Sequence, residues 1–377
     1  MSCTCSRCLL SEDVPGLLVD ADGICSVCRE YDRKWGDWNE RRAERLVALN
    51  RVLDWARGKK RPYDVLVPLS GGKDSTYVLY MCRERFGLRC LAVTWDNGFL
   101  TEHARENIKN AVDLLGVDHL YYGISSQLLI RLYRHFFLET GFFCPVCMRG
   151  IRVAVERAAS AFGVSLVITG TSSRTEEYIA PEFFQGGGLR FFKAVLKGCP
   201  LEREAEVLMY GDDWTRRMER VLTSYAEIAL PDYLDWNYDE IFRVISNELG
   251  WRAPVLDAEH ADCKANNIVD YFRYIKFPAL VPEMLRFSKL VTAGQMTKKE
   301  ALRRVAENRA AIAEPDNLDW FLDTLEVSRE QLDKLVADPL RHMKYIEEPG
   351  RLWSILRTLK HWLLGAALDW RSPLKSY

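Results

Sequence analysis

The strongest constraint on this chain is an alternation running from Tyr63 to about Gly170, where short β-rich runs take turns with stretches of helical periodicity. The β-rich runs are Val65–Leu69, Leu88–Trp95, His119–Ile124 and Ser165–Thr169. Between them lie Lys73–Phe86, His103–Leu115, Leu128–Thr140 and Met148–Phe162, which read as helices. Strands linked by helices build a parallel sheet covered on both faces, so the expected fold class is α/β, a doubly wound parallel sheet. Ligands of such sheets bind at the carboxyl ends of the strands, and site residues are to be sought there.

The first β-rich run leads straight into Ser70-Gly71-Gly72-Lys73-Asp74-Ser75, which opens a helix. Two glycines clear side chains away from backbone N–H groups, and the helix start adds a partial positive charge suited to phosphate. Lys73 supplies a full charge, Ser70 and Ser75 supply hydroxyls, and Asp74 can hold Mg²⁺ directly or through water. Lys73 and Asp74 are therefore candidate catalytic residues. The spacing is not the Walker pattern. The fourth β-rich run ends in Thr169-Gly170-Thr171, a second place where backbone can approach a nucleotide closely.

Eleven cysteines, an odd number, include two N-terminal pairs and suit metal binding better than a disulfide framework. Cys5-x2-Cys8 and Cys25-x2-Cys28 stand sixteen residues apart, the spacing of a four-thiolate zinc ribbon in which Zn²⁺ is fully closed off. Cys144-Pro145-Val146-Cys147 precedes the helix expected from Met148, where a helix N-terminus should lower the thiol pKa. Cys263 is a candidate third thiol. Three converging thiolates could hold a [4Fe–4S] cluster with one open iron, or could be separate structural residues.

The 377 residues are 48% hydrophobic and 28% charged, enough for a main domain with appendages. The expected division is a zinc-ribbon-like segment at 1–40, a phosphate-loop sheet domain at 41–260 and a mostly helical region at 261–377, ending in a packing helix over Leu352–Trp370. A helix over Arg42–Arg57 leads into the sheet, Gly186-Gly187-Gly188 breaks structure, and Leu201–Gly250 gives mixed signals. A formal net charge of −1 gives no reason to expect nucleic acid as a partner. With no apolar leader and no run long enough to span a membrane, the expected location is the cytoplasm.

Ser-Gly-Gly-Lys-Asp-Ser after an apolar strand resembles the PP-loop (N-type ATP pyrophosphatase) superfamily, with its adenine nucleotide alpha-hydrolase-like sheet. That resemblance implies ATP and Mg²⁺ as cofactors, attack at the α-phosphorus, release of pyrophosphate, and a place beside the adenosine for Asp96 in Trp95-Asp96-Asn97-Gly98. Taken in order, both N-terminal Cys pairs, the loop, Cys144-x2-Cys147, Asp262-Cys263-Lys264 with Asp270-Tyr271, and Gly294–Ala301 are similar to the N-acetyl sugar amidotransferases. Those enzymes turn an acetamido group of a sugar into an acetamidino group in O-antigen and flagellin-sugar pathways. The similarity implies an acetamido sugar nucleotide as substrate. The chain shows neither usual glutaminase arrangement, and the resemblance implies that ammonia comes from a separate glutaminase subunit with a channel partner. The chain departs from that family at Met148 and at Phe277-Pro278-Ala279, which leaves the acceptor open. The alternative is a PP-loop sulfurtransferase working through Cys144, Cys147 and Cys263.

Overall fold

The computed structural model describes residues 2–14, 16–172, 174–175, 188–209, 225–253 and 262–346. Gly186, Gly187 and the expected helix over 352–370 lie outside them. Five strands, β1 (Val65–Pro68), β2 (Cys90–Trp95), β3 (Asp118–Tyr122), β4 (Leu166–Thr169) and β5 (Ala226–Ala229), pair in parallel in the order β3-β2-β1-β4-β5. The direction of winding reverses between β1 and β4, so the loops leaving these two strands flank one crevice.

Strand periodicity of two sorts the side chains into two cores. Leu66, Leu91, Val93, Trp95 and Val167 point to one face, where α5 (Ser126–Thr140), α6 (Cys144–Phe162) and α7 (Leu189–Leu196) supply Phe136, Phe137, Val146, Ala158 and Phe192. Val65, Val67, Leu69, Ala92, Leu166, Ile168 and Ile228 point to the other face. There α2 (Arg42–Gly58), α3 (Lys73–Tyr80), α4 (Glu102–Leu115) and α8 (Tyr238–Leu249) supply Leu49, Leu53, Val78, Ile108, Ile241 and Ile245. A continuous apolar run such as Val65–Leu69 is what burial on both faces requires.

Two findings alter the sequence reading. The mixed stretch over 201–250 contains a fifth strand, β5, and the helix α8, both part of the sheet domain. The sixth helix begins at Cys144 rather than Met148, with Pro145 in its first turn, so both thiols of the pair sit on the helix itself.

The remaining chain is helical: α1 (Ser26–Trp35) follows the N-terminal cysteines, and α9 (Asn266–Lys276), α10 (Met284–Thr292), α11 (Lys298–Ala310), α12 (Leu318–Thr324) and α13 (Arg329–Ala337) follow the sheet. The N-terminal knuckle and α9–α11 share a third core, in which Cys5, Cys8, Leu10, Cys25 and Cys28 pack with Phe277, Leu280, Leu285, Phe287, Ala301 and Val305. Lys298 Nζ donates to the carbonyl oxygens of Cys5 and Ser6, each at 2.9 Å, and Arg7 donates to the Thr292 carbonyl oxygen at 3.0 Å. Among the described residues no helix is long and apolar enough to cross a membrane.

Candidate functional site

The loop between β1 and α3 is held open by its backbone. Gly71 has φ +81°, and a Cβ there would fall 2.4 Å from the carbonyl oxygen of Ala104 on α4, so only glycine fits. Its own carbonyl oxygen is drawn away from the crevice by Trp251 Nε1 at 2.9 Å and Asn107 Nδ2 at 3.2 Å. Gly72 is extended, at φ −73° and ψ 164°, and caps α3. Ser70 Oγ and Ser75 Oγ meet at 3.2 Å across the loop, and Ser75 Oγ donates to the Gly72 carbonyl oxygen at 3.2 Å. The turn thus closes on itself, with the Ser70 and Gly72 N–H groups taken by Ser75 Oγ and Ser70 Oγ, while the first N–H groups of α3 have no acceptor within the helix.

Lys73 and Asp74 pair at 2.8 Å between Nζ and Oδ2, and both side chains are largely enclosed. Asp74 Oδ1 accepts from Trp236 Nε1 at 2.9 Å, and Lys73 Nζ lies 5.0 Å over the Tyr238 ring. Gly170 closes the other wall of the crevice: a Cβ there would stand 2.9 Å from Asp74 Cβ and 3.2 Å from its backbone. Thr171 follows, exposed. The structure therefore brings Ser70, Gly71, Gly72, Lys73, Asp74, Ser75 and Gly170 together at the β1–β4 crossover. Asp96 sits at the end of β2, where its Oδ1 accepts from Gly98 N at 3.2 Å and faces Arg105 at 3.7 Å.

Three other thiols lie near one another, although among the described residues only the N-terminal four gather their sulfurs closely enough to hold a metal ion. Residues 262–264 run antiparallel to 99–101, with Leu100 bridged to Cys263, Thr101 N donating to the Asp262 carbonyl oxygen at 3.0 Å and Lys264 N to that of Phe99 at 2.7 Å. Asn97 and Tyr133 neighbour Cys147, and Cys144, Cys147 and Cys263 each feel the charge of another of the three. The expected lowering of thiol pKa is reversed. Each residue keeps some contact with solvent, yet dense protein around the sulfurs pushes all three up to about 12, outweighing the start of α6.

The N-terminal thiols form a separate centre. The sulfurs of Cys5, Cys8, Cys25 and Cys28 are buried and lie within 4.8 Å of one another, with Cys5–Cys28 at 3.9 Å and Cys8–Cys25 at 3.6 Å. A tetrahedral zinc with bonds of about 2.3 Å sets its sulfurs roughly 3.8 Å apart, so the set fits that ion. Leu10 N donates to Cys8 Sγ at 3.5 Å, and Thr292 Oγ1 lies 3.4 Å from Cys28 Sγ.

Comparison with known proteins finds matches over parts of the chain. The family described as LPS biosynthesis protein WbpG-like, C-terminal domain, matches residues 261–360. The glutamine-hydrolysing GMP synthase of Pyrobaculum aerophilum is 30% identical over 84 residues, 22% of this chain and 17% of that protein. Together with the Ser70–Ser75 loop, these partial matches point to the PP-loop ATP pyrophosphatase superfamily. An uncharacterised protein of Methanocaldococcus jannaschii is 31% identical over 112 residues, 29% of this chain and 38% of that protein, so this chain spans well under half of either relative. The solved structure of NMN synthetase from Francisella tularensis aligns with 77% of this chain and 98% of its own, at 13% identity and a TM-score of 0.33.

Three residues that hold the PP-loop in shape were missed from sequence: Asn107, Trp236 and Trp251. The one available signal was chemical. Tryptophans in polar settings, Asp235-Trp236-Asn237 and Gly250-Trp251-Arg252, need an acceptor for the indole N–H once buried.

Proposed function

We propose that this PP-loop chain is an AMP-forming ligase that converts an acetamido group on a sugar, carried on a nucleotide, into an acetamidino group for surface polysaccharide or flagellin-sugar assembly. The observation that carries the reading is the pairing of an intact Ser70–Ser75 phosphate loop with a matched WbpG-like region whose first described residues, 262–264, are laced to the edge of the same site.

In this reading the acetamido oxygen attacks the α-phosphorus of ATP and pyrophosphate leaves toward the loop amides, Lys73 and the Ser70 and Ser75 hydroxyls. Ammonia then adds to the imidate carbon and AMP departs with the oxygen. Mg²⁺ held through Asp74 would neutralise phosphate charge. Trp236 keeps Asp74 aimed into the crevice. Ammonia comes from a separate glutaminase subunit with a channel partner.

The test is direct. Protein supplied with ATP, Mg²⁺, ammonium and an acetamido sugar nucleotide should form AMP and a product one mass unit lighter and more basic, as oxygen is exchanged for N–H. Lys73→Ala should slow AMP formation on the order of a hundredfold, the scale of losing a charge partner at the transition state. AMP formed without amidine on any acetamido sugar would overturn the reading.

The nearness of Cys144, Cys147 and Cys263, which feel one another's charge, supports one second reading, sulfur transfer through a [4Fe–4S] cluster. Turnover only with sulfide, in iron-loaded anaerobic protein, would establish it.

A further inference from the structure

Away from the ATP crevice, α5 and the turn after α7 place a cysteine and a histidine together. His135 Nε2 lies 3.0 Å from the Val195 carbonyl oxygen. A carbonyl can only accept, so Nε2 carries the ring proton and Nδ1 is left with its lone pair. That lone pair faces Cys199 Sγ at 3.8 Å. On the same sulfur, Leu201 N donates at 3.3 Å.

The group therefore contains a thiol, a base to receive its proton, a carbonyl that orients the base and a backbone N–H that holds the resulting thiolate. Access is available too. Cys199 and His135 are both half-buried, and at Gly198, next in the chain, nothing lies within 4 Å of where a Cβ would stand. None of the other thiols has this setting. Cys82 and Cys90 are buried in the core, Cys5, Cys8, Cys25 and Cys28 face one another, and Cys144, Cys147 and Cys263 are held protonated by burial.

We propose that Cys199, activated by His135, is a modification site of this protein, oxidised to sulfenic acid by peroxides. In the step, His135 Nδ1 accepts the thiol proton and the sulfur attacks one peroxide oxygen. The S–O bond forms as the O–O bond breaks. Sulfur is oxidised by two electrons, and the leaving hydroxide takes up the proton from His135 as water.

The experiment treats the full chain with hydrogen peroxide in the presence of dimedone and follows each cysteine by peptide mass spectrometry. Exposed Cys3 serves as the internal reference. Cys199 should acquire the adduct faster than Cys3 by on the order of tenfold or more, a modest share of what a positioned base supplies. His135→Gln should bring the two rates together while Cys3 is unchanged, and Cys199→Ser should remove the adduct. Labelling of Cys199 no faster than Cys3 in the wild-type protein overturns the proposal by itself, whether or not the variant folds. An unchanged ratio in folded His135→Gln, checked by its melting curve, also overturns it.

Discussion

At the scale of single residues, two positions have consequences that can be measured without knowing the substrate. Gly71→Ala meets both a left-handed φ and the Ala104 carbonyl oxygen, and neither can be relieved by rotating a side chain. The expected cost is about 2 kcal/mol or more, taken up by displacement of the loop. ATP binding, measured by calorimetry, should fall by more than the melting temperature suggests. Lys276 offers a pH signature. It is buried under the end of α5, donates to the Thr140 carbonyl oxygen, lies 3.9 Å over the Phe142 ring and 3.5 Å from His342 Nδ1, and burial lowers it to about 7. The unfolded chain keeps that proton up to the ordinary lysine range, near ~10.4. Between about pH 7 and pH 10 this lysine therefore binds more proton in the unfolded state, and its own contribution to stability should rise with pH across that window. Lys276→Met should flatten the rise; melting curves that keep the same pH slope would assign the titration to another group.

At the scale of elements, α6 is seated on the sheet through one missing side chain. A Cβ at Gly150 would stand 2.1 Å from the Trp95 ring, so Gly150→Ala must push the helix off β2, at roughly 1–3 kcal/mol for an overpacked core. Since α6 carries Cys144 and Cys147, the same change should alter their accessibility to a thiol reagent, whereas Cys82 stays protected. The alternation that made β1, β2 and β4 legible depends on apolar runs, whereas β3 is carried by Leu120 and the aromatic pair Tyr121-Tyr122. Ala226–Ala229 has no such run. Alanine and glutamate are poor strand formers, and β5 exists because its backbone pairs with β4 residue by residue from Leu166 to Thr169. The phosphate loop was readable because its chemistry is local, six consecutive residues between a strand and a helix. The meeting of Cys263 with Cys144 and Cys147 was not readable, because it depends on residues 262–264 pairing with 99–101 far away in the chain.

At the scale of the whole molecule, the four-cysteine knuckle is part of a shared core rather than a free-standing appendage. The segments 2–28 and 277–305 bury one another, and Lys298, Arg7 and Thr292 tie the knuckle to α10 and α11. Removing the metal with a chelator, or replacing Cys5, Cys8, Cys25 or Cys28 by serine, should therefore loosen two separate stretches of sequence at once. Hydrogen exchange should accelerate in both 2–28 and 277–305, while β1, β2 and β4 keep their protection. Acceleration confined to the first stretch would show the knuckle to be independent of the helices. The same arrangement bears on how the chain is made. The knuckle emerges from the ribosome some 250 residues ahead of the helices that cover it, an interval of roughly 12–50 s at ordinary elongation rates. For that interval the apolar residues it shares with the later helices await their partners, and zinc held by the four sulfurs would be a closure local enough to form first. Zinc supply during synthesis should then set the yield of native protein more strongly than zinc supplied to the finished chain.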